Sequence, residues 1–314
     1  MHLNLAEALK REVLGMARDR VARGTTRDHH TTSIAVGLAP SARGARDYRV
    51  AVRLPPAGSG RIKSLVTRLN KHAKDFDIAH GVRYRPRVVL RAGGSCGHPR
   101  ATAGTLGGFV EDDEHYYLLS NSHVLAASNK ARANDPIYQP GPADIRRKRF
   151  NIIARLARWT ILRPGEAPID AAIARLSDDT IEFHPRWTPG VGRLGRVPLD
   201  DRLALRHVVK RGRTTGVTRG AVSAFDLDGV EIDYSPNEDG SLVLTFHHQI
   251  EFAGTRRGTP FSKPGDSGAF ILDAGSLRPA ALLFAGGRGV DGIDRTLGHF
   301  MPDVLERMRV RLAR

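Results

Sequence analysis

Cysteine is nearly missing from this chain: 314 residues contain one, Cys96. A single thiol excludes an intramolecular disulfide and any cysteine-based zinc site. Aromatic residues make up only 6% of the chain. With no stacking-aromatic motif and no helix-turn-helix signature, nucleic acid is not an expected partner. No run of about 20 apolar residues occurs, so no membrane-spanning helix and no membrane association are expected. The first residues, MHLNLAEALKREVLGMARDRV, carry charges every few positions and lack the apolar centre of a secretory signal. The expectation is a cytoplasmic bacterial protein. Acidic residues are few beside basic ones, 33 against 49, for a formal net charge of +16. Only eight of the basic residues are lysines, and the tightest cluster is Arg146, Arg147, Lys148 and Arg149. A basic balance favours acidic partners, but charge this scattered does not define a binding face.

What is present is the composition of a folded protein: 40% hydrophobic and 26% charged residues. At ~150 residues per domain, the length suggests about two domains. Residues 3–22 place Leu5, Leu9, Val13 and Met16 near helical spacing, with Gly24 as a stop. Residues 32–38 and 48–54 alternate as strands around a turn at 41–44. Residues 61–76 carry Ile62, Leu65, Val66, Leu69 and Ala73 on one helical face, and residues 82–90 read as a strand. Residues 1–95 are therefore expected to form a small α+β domain of order α-β-β-α-β. Residues 96–314 change character. Short apolar runs separated by Gly, Pro, Asn and Asp predict strands at 106–110, 116–120, 152–160, 171–176, 207–210, 221–225, 242–246, 269–272 and 280–284. This pattern predicts a mainly β sandwich or barrel. A closing helix is expected over 302–312 from Val304, Leu305, Met308 and Leu312.

The sharpest chemical signal is Lys263-Pro-Gly-Asp-Ser-Gly268. A serine hydroxyl is a weak nucleophile until a base takes its proton. Flanking glycines let the backbone turn so that the N–H groups of Gly265 and Ser267 converge on one point, as an oxyanion hole requires. Among thirteen histidines, His123 stands apart, directly after the apolar run Leu118-Leu-Ser-Asn-Ser-His123. His247 and His248 are expected in a strand, facing opposite ways, which argues against a joint metal site. Asp170 opens the apolar run Asp170-Ala-Ala-Ile-Ala174. A carboxylate placed there is partly buried and needs a partner such as an imidazole N–H. The chain order is His, Asp, Ser, one of three orders found among unrelated serine hydrolases. The Thr-Thr-Gly of residues 214–216 lacks the Gly-Lys-Ser/Thr ending of a phosphate loop, so it is not read as a nucleotide site. No cofactor or metal is called for.

Several short motifs in this order carry a resemblance. They are Thr102-Ala-Gly-Thr-Leu-Gly107, Leu119-Ser-Asn-Ser-His-Val-Leu125, residues 135–144, Ile169-Asp-Ala-Ala-Ile-Ala174, Lys210-Arg-Gly-Arg-Thr-Thr-Gly216, Pro264-Gly-Asp-Ser-Gly268 and Leu282-Leu-Phe-Ala-Gly286. With them the chain resembles the trypsin-like (chymotrypsin-fold) serine peptidases, and more narrowly a bacterial branch related to the plant narrow-leaf protein. The strand pair around Ala35-Val-Gly37 and residues 50–52 resembles the small domain that precedes the peptidase in that branch.

The resemblance implies a chymotrypsin-like double β-barrel with a small N-terminal α+β domain. It implies a serine endopeptidase with His123 as base, Asp170 as orienting acid, Ser267 as nucleophile, and Gly265 and Ser267 as oxyanion donors. By position, Phe261 would floor the substrate pocket, with Phe284, Ala285 and Gly286 as walls. No acid stands on that floor, so a small or apolar side chain is the expected preference. In animal trypsins the residue matching Asp266 pairs with an amine freed by cleavage. Here another cation, or backbone N–H groups, is expected to satisfy it. The expected partners are a protein or peptide substrate, and a regulatory protein or second copy acting through residues 1–95. The alternative is a latent or non-catalytic scaffold on the same fold, acting through a protein partner.

Overall fold

Strands dominate the chain, as its short alternating apolar runs require. The computed structural model describes residues 1–22, 34–41, 46–54, 67, 69, 73–79, 88–146, 149–176, 181–235, 241–255 and 259–314. Two compact units divide the chain, residues 1–86 and 87–314.

In the first unit, the amphipathic segment forms the helix Leu3–Ala22. The strands Ala35–Pro40 and Tyr48–Arg53 pair antiparallel, with Leu38 opposite Val50. Val13, Val50, Val52, Leu54, Leu69 and Phe76 make the core. The expected helix over 61–76 does not reach its predicted end: Ala73–Asp75 is a single 3-10 turn, and Phe76–Ala79 is a strand parallel to Tyr48–Arg53. The strand buries Phe76 opposite Val50, a gain that helical spacing does not reveal. Residues 61–66, 68 and 70–72 lie outside the described residues, as do 80–87 of the expected strand over 82–90. The remainder of that strand, Val88–Leu90, pairs in parallel with Ile181–Phe183 inside the second unit.

The second unit holds two six-stranded assemblies. One sheet runs in the order Arg311–Leu312, Gly108–Glu111, Tyr116–Ser120, Ala172–Leu176, Asn151–Trp159, Pro136–Gln139. Its far edge turns back through the bridge Gly97↔Tyr138 and the pair Ser95–Cys96 with Gly104–Thr105. The other is a closed barrel of His207–Gly212, Gly216–Leu227, Gln249–Gly254, Asp294–Phe300, Pro279–Arg288 and Phe270–Asp273. One closed barrel beside a second six-stranded sheet is the mainly β, chymotrypsin-like architecture expected from the resemblance. A third, three-stranded sheet joins Gly165–Glu166, Val243–Phe246 and Val230–Asp233.

The period of two along each strand builds three cores at once. Leu118, Ala172 and Ala174 face the first core, with Phe109 and Ile153. Val208 and Ile271 face the second, with Ile250, Phe252 and Phe261. Their alternates Leu119, Ile173, Val209 and Leu272 meet between the assemblies, with Val304 and Met308.

Two further expectations change. The last helix is Met301–Met308 rather than 302–312. Arg309 turns left-handed (φ 51°) and caps it, and Arg311–Leu312 returns as a strand against Gly108–Glu111. Leu312 is buried by that pairing, which coincides with its helical spacing. His247 and His248 occupy a turn between strands, with His248 at φ 58°, and both rings lie near Asp228 instead of facing opposite ways.

Candidate active site

The strand Tyr116–Ser120 is buried over its last four residues and ends in a one-turn helix, Ser122–Leu125. A turn this short has no ladder of its own and needs outside acceptors for its first N–H groups. Asp170 supplies them. Its Oδ1 accepts Ser122 N–H at 2.7 Å and His123 N–H at 3.2 Å. Asn121 Nδ2 donates to the Asp170 carbonyl at 2.7 Å, and Ser122 Oγ donates to the Thr160 carbonyl at 2.7 Å. The backbone that carries His123 is thus bolted to the backbone that carries Asp170.

The same carboxylate holds the ring. His123 Nδ1 lies 2.5 Å from Asp170 Oδ2, and the Tyr234 hydroxyl donates to that oxygen at 2.8 Å. Asp170 is fully buried, while the His123 side chain is 23% exposed. Burial alone would raise the Asp170 carboxyl. The His123 imidazole and the Tyr234 hydroxyl outweigh it and hold the group below the ordinary carboxylate range. The Tyr234 phenol is driven well above its ordinary value, first by burial and then by the Asp170 charge. Behind Asp170, its N–H donates to His299 Nε2 at 2.9 Å. Burial pushes His299 down to about 3, so the ring stays neutral with its proton on Nδ1. The ring stacks on Phe284, centroids 3.9 Å apart.

Ser267 is tied through Thr105 to the strand that leads to His123. Its carbonyl accepts Thr105 N–H at 2.8 Å, and the Thr105 carbonyl accepts Ser120 Oγ at 2.8 Å, three residues before His123. Gly268 follows at φ 94°. A Cβ there would land on Ser120 Oγ and the Thr105 carbonyl, so this approach requires glycine. Gly265 is constrained by its own backbone, at φ 98°, and a Cβ there would also meet the Arg213 and Thr214 side chains. Among the described residues, neither Gly265 N–H nor Ser267 N–H donates to a protein acceptor. The Ser267 hydroxyl donates to the Phe284 carbonyl at 3.3 Å.

Asp266 between them is fully buried and fully partnered. Lys210 Nζ lies 3.0 Å from Oδ2, which also accepts Thr215 Oγ1 at 2.6 Å and Lys263 N–H at 3.1 Å. Oδ1 accepts Thr214 N–H at 2.8 Å and Thr215 N–H at 3.2 Å. Burial would raise this carboxyl. The Lys210 charge, the Thr215 hydroxyl and the Thr214 N–H hold it low. Cation and backbone donors, both foreseen for Asp266, are present together.

The four residues named for the substrate pocket lie as follows. Phe261 is fully buried in the second barrel core, its ring 5.7 Å from Lys210 Nζ. Phe284 is buried against His299. Ala285 is half-buried and Gly286 exposed, beside Ser262, whose Oγ shares a hydrogen bond with Thr296 Oγ1 at 2.6 Å. Among the described residues no group of three or more His, Cys, Asp or Glu side chains could hold a metal. Cys96 is buried, and burial pushes its thiol up to about 12, which keeps it protonated and inert.

Sequence reasoning missed Lys210, Tyr234 and His299. Only Lys210 left a signal: it shares the inward face of its strand with Val208, and a cation there needs a buried partner.

No family profile and no curated protein matches the sequence. Solved structures do. Thermobifida fusca protease A is 12% identical, with 72% of this chain and 99% of that chain covered and a TM-score of 0.47. Cellulomonas bogoriensis chymotrypsin is 15% identical, with 72% and 98% covered and a TM-score of 0.45. Nocardiopsis protease is 15% identical, with 72% and 100% covered and a TM-score of 0.46. At these identities the likeness is one of fold alone.

Proposed function

We propose that the chain is a serine endopeptidase that works through His123, Asp170 and Ser267. The observation that carries the reading is the buried carboxylate of Asp170 fixing His123 Nδ1 at 2.5 Å. A serine in a Gly-Asp-Ser-Gly turn with two free N–H groups is hydrogen-bonded through Thr105 to Ser120, three residues before His123. In this reading the Ser267 hydroxyl turns from the Phe284 carbonyl to His123 Nε2 when substrate binds. Its oxygen attacks the scissile carbonyl, and its proton passes to Nε2. Asp170 stabilises the imidazolium, and Gly265 and Ser267 N–H groups receive the oxyanion. The imidazolium protonates the leaving amine, leaving an acyl-serine. Water activated by the same imidazole then releases the acid.

Because Lys210 already neutralises Asp266, the reading needs no cleavage to supply an amine. A small or apolar side chain is the preference in this reading, with half-buried Ala285 and exposed Gly286 as its walls. The narrower placement, in the bacterial branch related to the plant narrow-leaf protein, rests on the sequence motifs. A regulatory role for the N-terminal unit belongs to the same proposal.

The direct experiment is hydrolysis of a peptide library by the full chain, with intact mass recorded throughout. Activity by uncut protein, reduced about 10⁴-fold or more in Ser267→Ala, supports the reading. Undiminished hydrolysis by Ser267→Ala removes it. A second reading is a latent or non-catalytic scaffold acting through a protein partner. The hydrogen bond from Ser267 to Phe284 rather than to His123 favours it. In that case the wild type alone hydrolyses nothing.

A further inference from the structure

We infer that Tyr234 is a positioning residue of the base–acid pair, holding Asp170 by a hydroxyl donated from the third sheet. The inference deepens the peptidase reading and rests on it for its kinetic arm only.

Asp170 has four acceptor positions, and the fold fills all four. Two backbone N–H groups of the Ser122–Leu125 turn take Oδ1. His123 Nδ1 and the Tyr234 hydroxyl share Oδ2. Three of these donors come from residues 122–123. Tyr234 alone comes from elsewhere, at the end of the strand Val230–Asp233. Its own place is secured twice. Its N–H donates to the Leu242 carbonyl at 2.9 Å, and its ring stands edge-on to Phe246. The partner strand Val243–Phe246 runs parallel to Gly165–Glu166, and Ala167 N–H donates to the Thr245 carbonyl at 2.9 Å. Asp170 lies three residues further on. The hairpin is therefore stitched to the chain that delivers Asp170, and its tyrosine reaches back to the carboxylate.

The chemistry follows from donor strength. A phenol this buried beside a carboxylate stays protonated through the working pH range and donates to it. Each donor on Oδ2 withdraws charge that would otherwise stabilise an added proton on the pair. Tyr234 thus lowers the pair's basicity and stops the carboxylate from rotating away from His123. Among the described residues, the other titratable group hydrogen-bonded to the pair is His299, from the strand Asp294–Phe300. Held down to about 3, it stays neutral over that range.

The test is Tyr234→Phe, which keeps the ring and its packing. Histidine NMR, with the His123 signal assigned by its loss in His123→Gln, follows the pair's titration without needing a substrate. The expected result is an upward shift of about 0.5–1 pH unit in the pair's midpoint. The acid limb of kcat/KM moves the same way, and kcat falls about tenfold with KM nearly unchanged, because Tyr234 touches the pair and not the substrate. Incorporating 3-fluorotyrosine at 234 strengthens the donor and shifts the midpoint downward, which a merely structural role would not do; it also serves if Tyr234→Phe does not fold. An unmoved midpoint in both variants overturns the inference. A moved midpoint in a protein that hydrolyses nothing upholds it and counts against the peptidase reading instead.

Discussion

Replacing Lys210 by Met removes one charge from a pair in which both side chains are fully shielded from solvent. Asp266 then keeps four donors: the N–H groups of Lys263, Thr214 and Thr215, and the Thr215 hydroxyl. Breaking a buried pair costs about 3–5 kcal/mol, and the surviving donors argue for the lower end. At roughly 2–4 °C per kcal/mol for a unit of this size, the melting temperature of residues 87–314 falls by about 6–12 °C. The loop that Asp266 anchors also carries Gly265 and Ser267. Loss of one aligned oxyanion donor costs on the order of 10²–10³ in turnover, so the variant loses activity beyond its loss of stability. The pH dependence has a defined sign. The folded Asp266 carboxyl is held low, so its contribution is present above the unfolded value and disappears as pH falls through the folded one. Without Lys210 the buried carboxyl rises and that contribution is missing at neutral pH. The gap between wild type and Lys210→Met is therefore widest near neutrality and narrows below about pH 4. Thermal melts at several pH values measure it. Lys210→Met/Asp266→Asn, which removes both charges, regains most of the lost stability. A Lys210→Met protein that melts with wild type at pH 7 and turns over at the wild-type rate would refute the reasoning.

Two other outcomes are expected. Gly268→Ala places a Cβ against Ser120 Oγ and the Thr105 carbonyl at φ 94°. Strain and overpacking together cost at least about 3 kcal/mol, read as a lower denaturation midpoint with loss of activity. Cys96, with its thiol held near 12 by burial, does not react with a thiol reagent at pH 8 in the folded protein. It titrates as one thiol per chain in denaturant, and rapid native labelling would contradict its burial.

The pairing of His123 with Asp170 was legible because each sits in a local pattern that suits it: a histidine after a buried strand and an acid opening one. Lys210, Tyr234 and His299 were not, because their partners lie 56, 64 and 129 residues away. Nothing next to Tyr234 in the chain marks it as a ligand of Asp170. The strands at 207–212, 243–246 and 270–273 were visible from apolar alternation. Gln249–Gly254 and Asp294–Phe300 are not among the strands expected from the sequence; barrel closure supplies their pairing. The last helix was overextended. Leu312 keeps helical spacing with Met308, but a left-handed Arg309 ends the helix and turns the chain into the first sheet.

In the peptidase reading, the full chain carries a working nucleophile without processing. Labelling with a fluorophosphonate, read by intact mass on wild type and Ser267→Ala, tests it most directly. The prediction is one adduct on full-length wild type and none on Ser267→Ala. Wild type that stays unlabelled until it is cleaved or joined by a partner would contradict it.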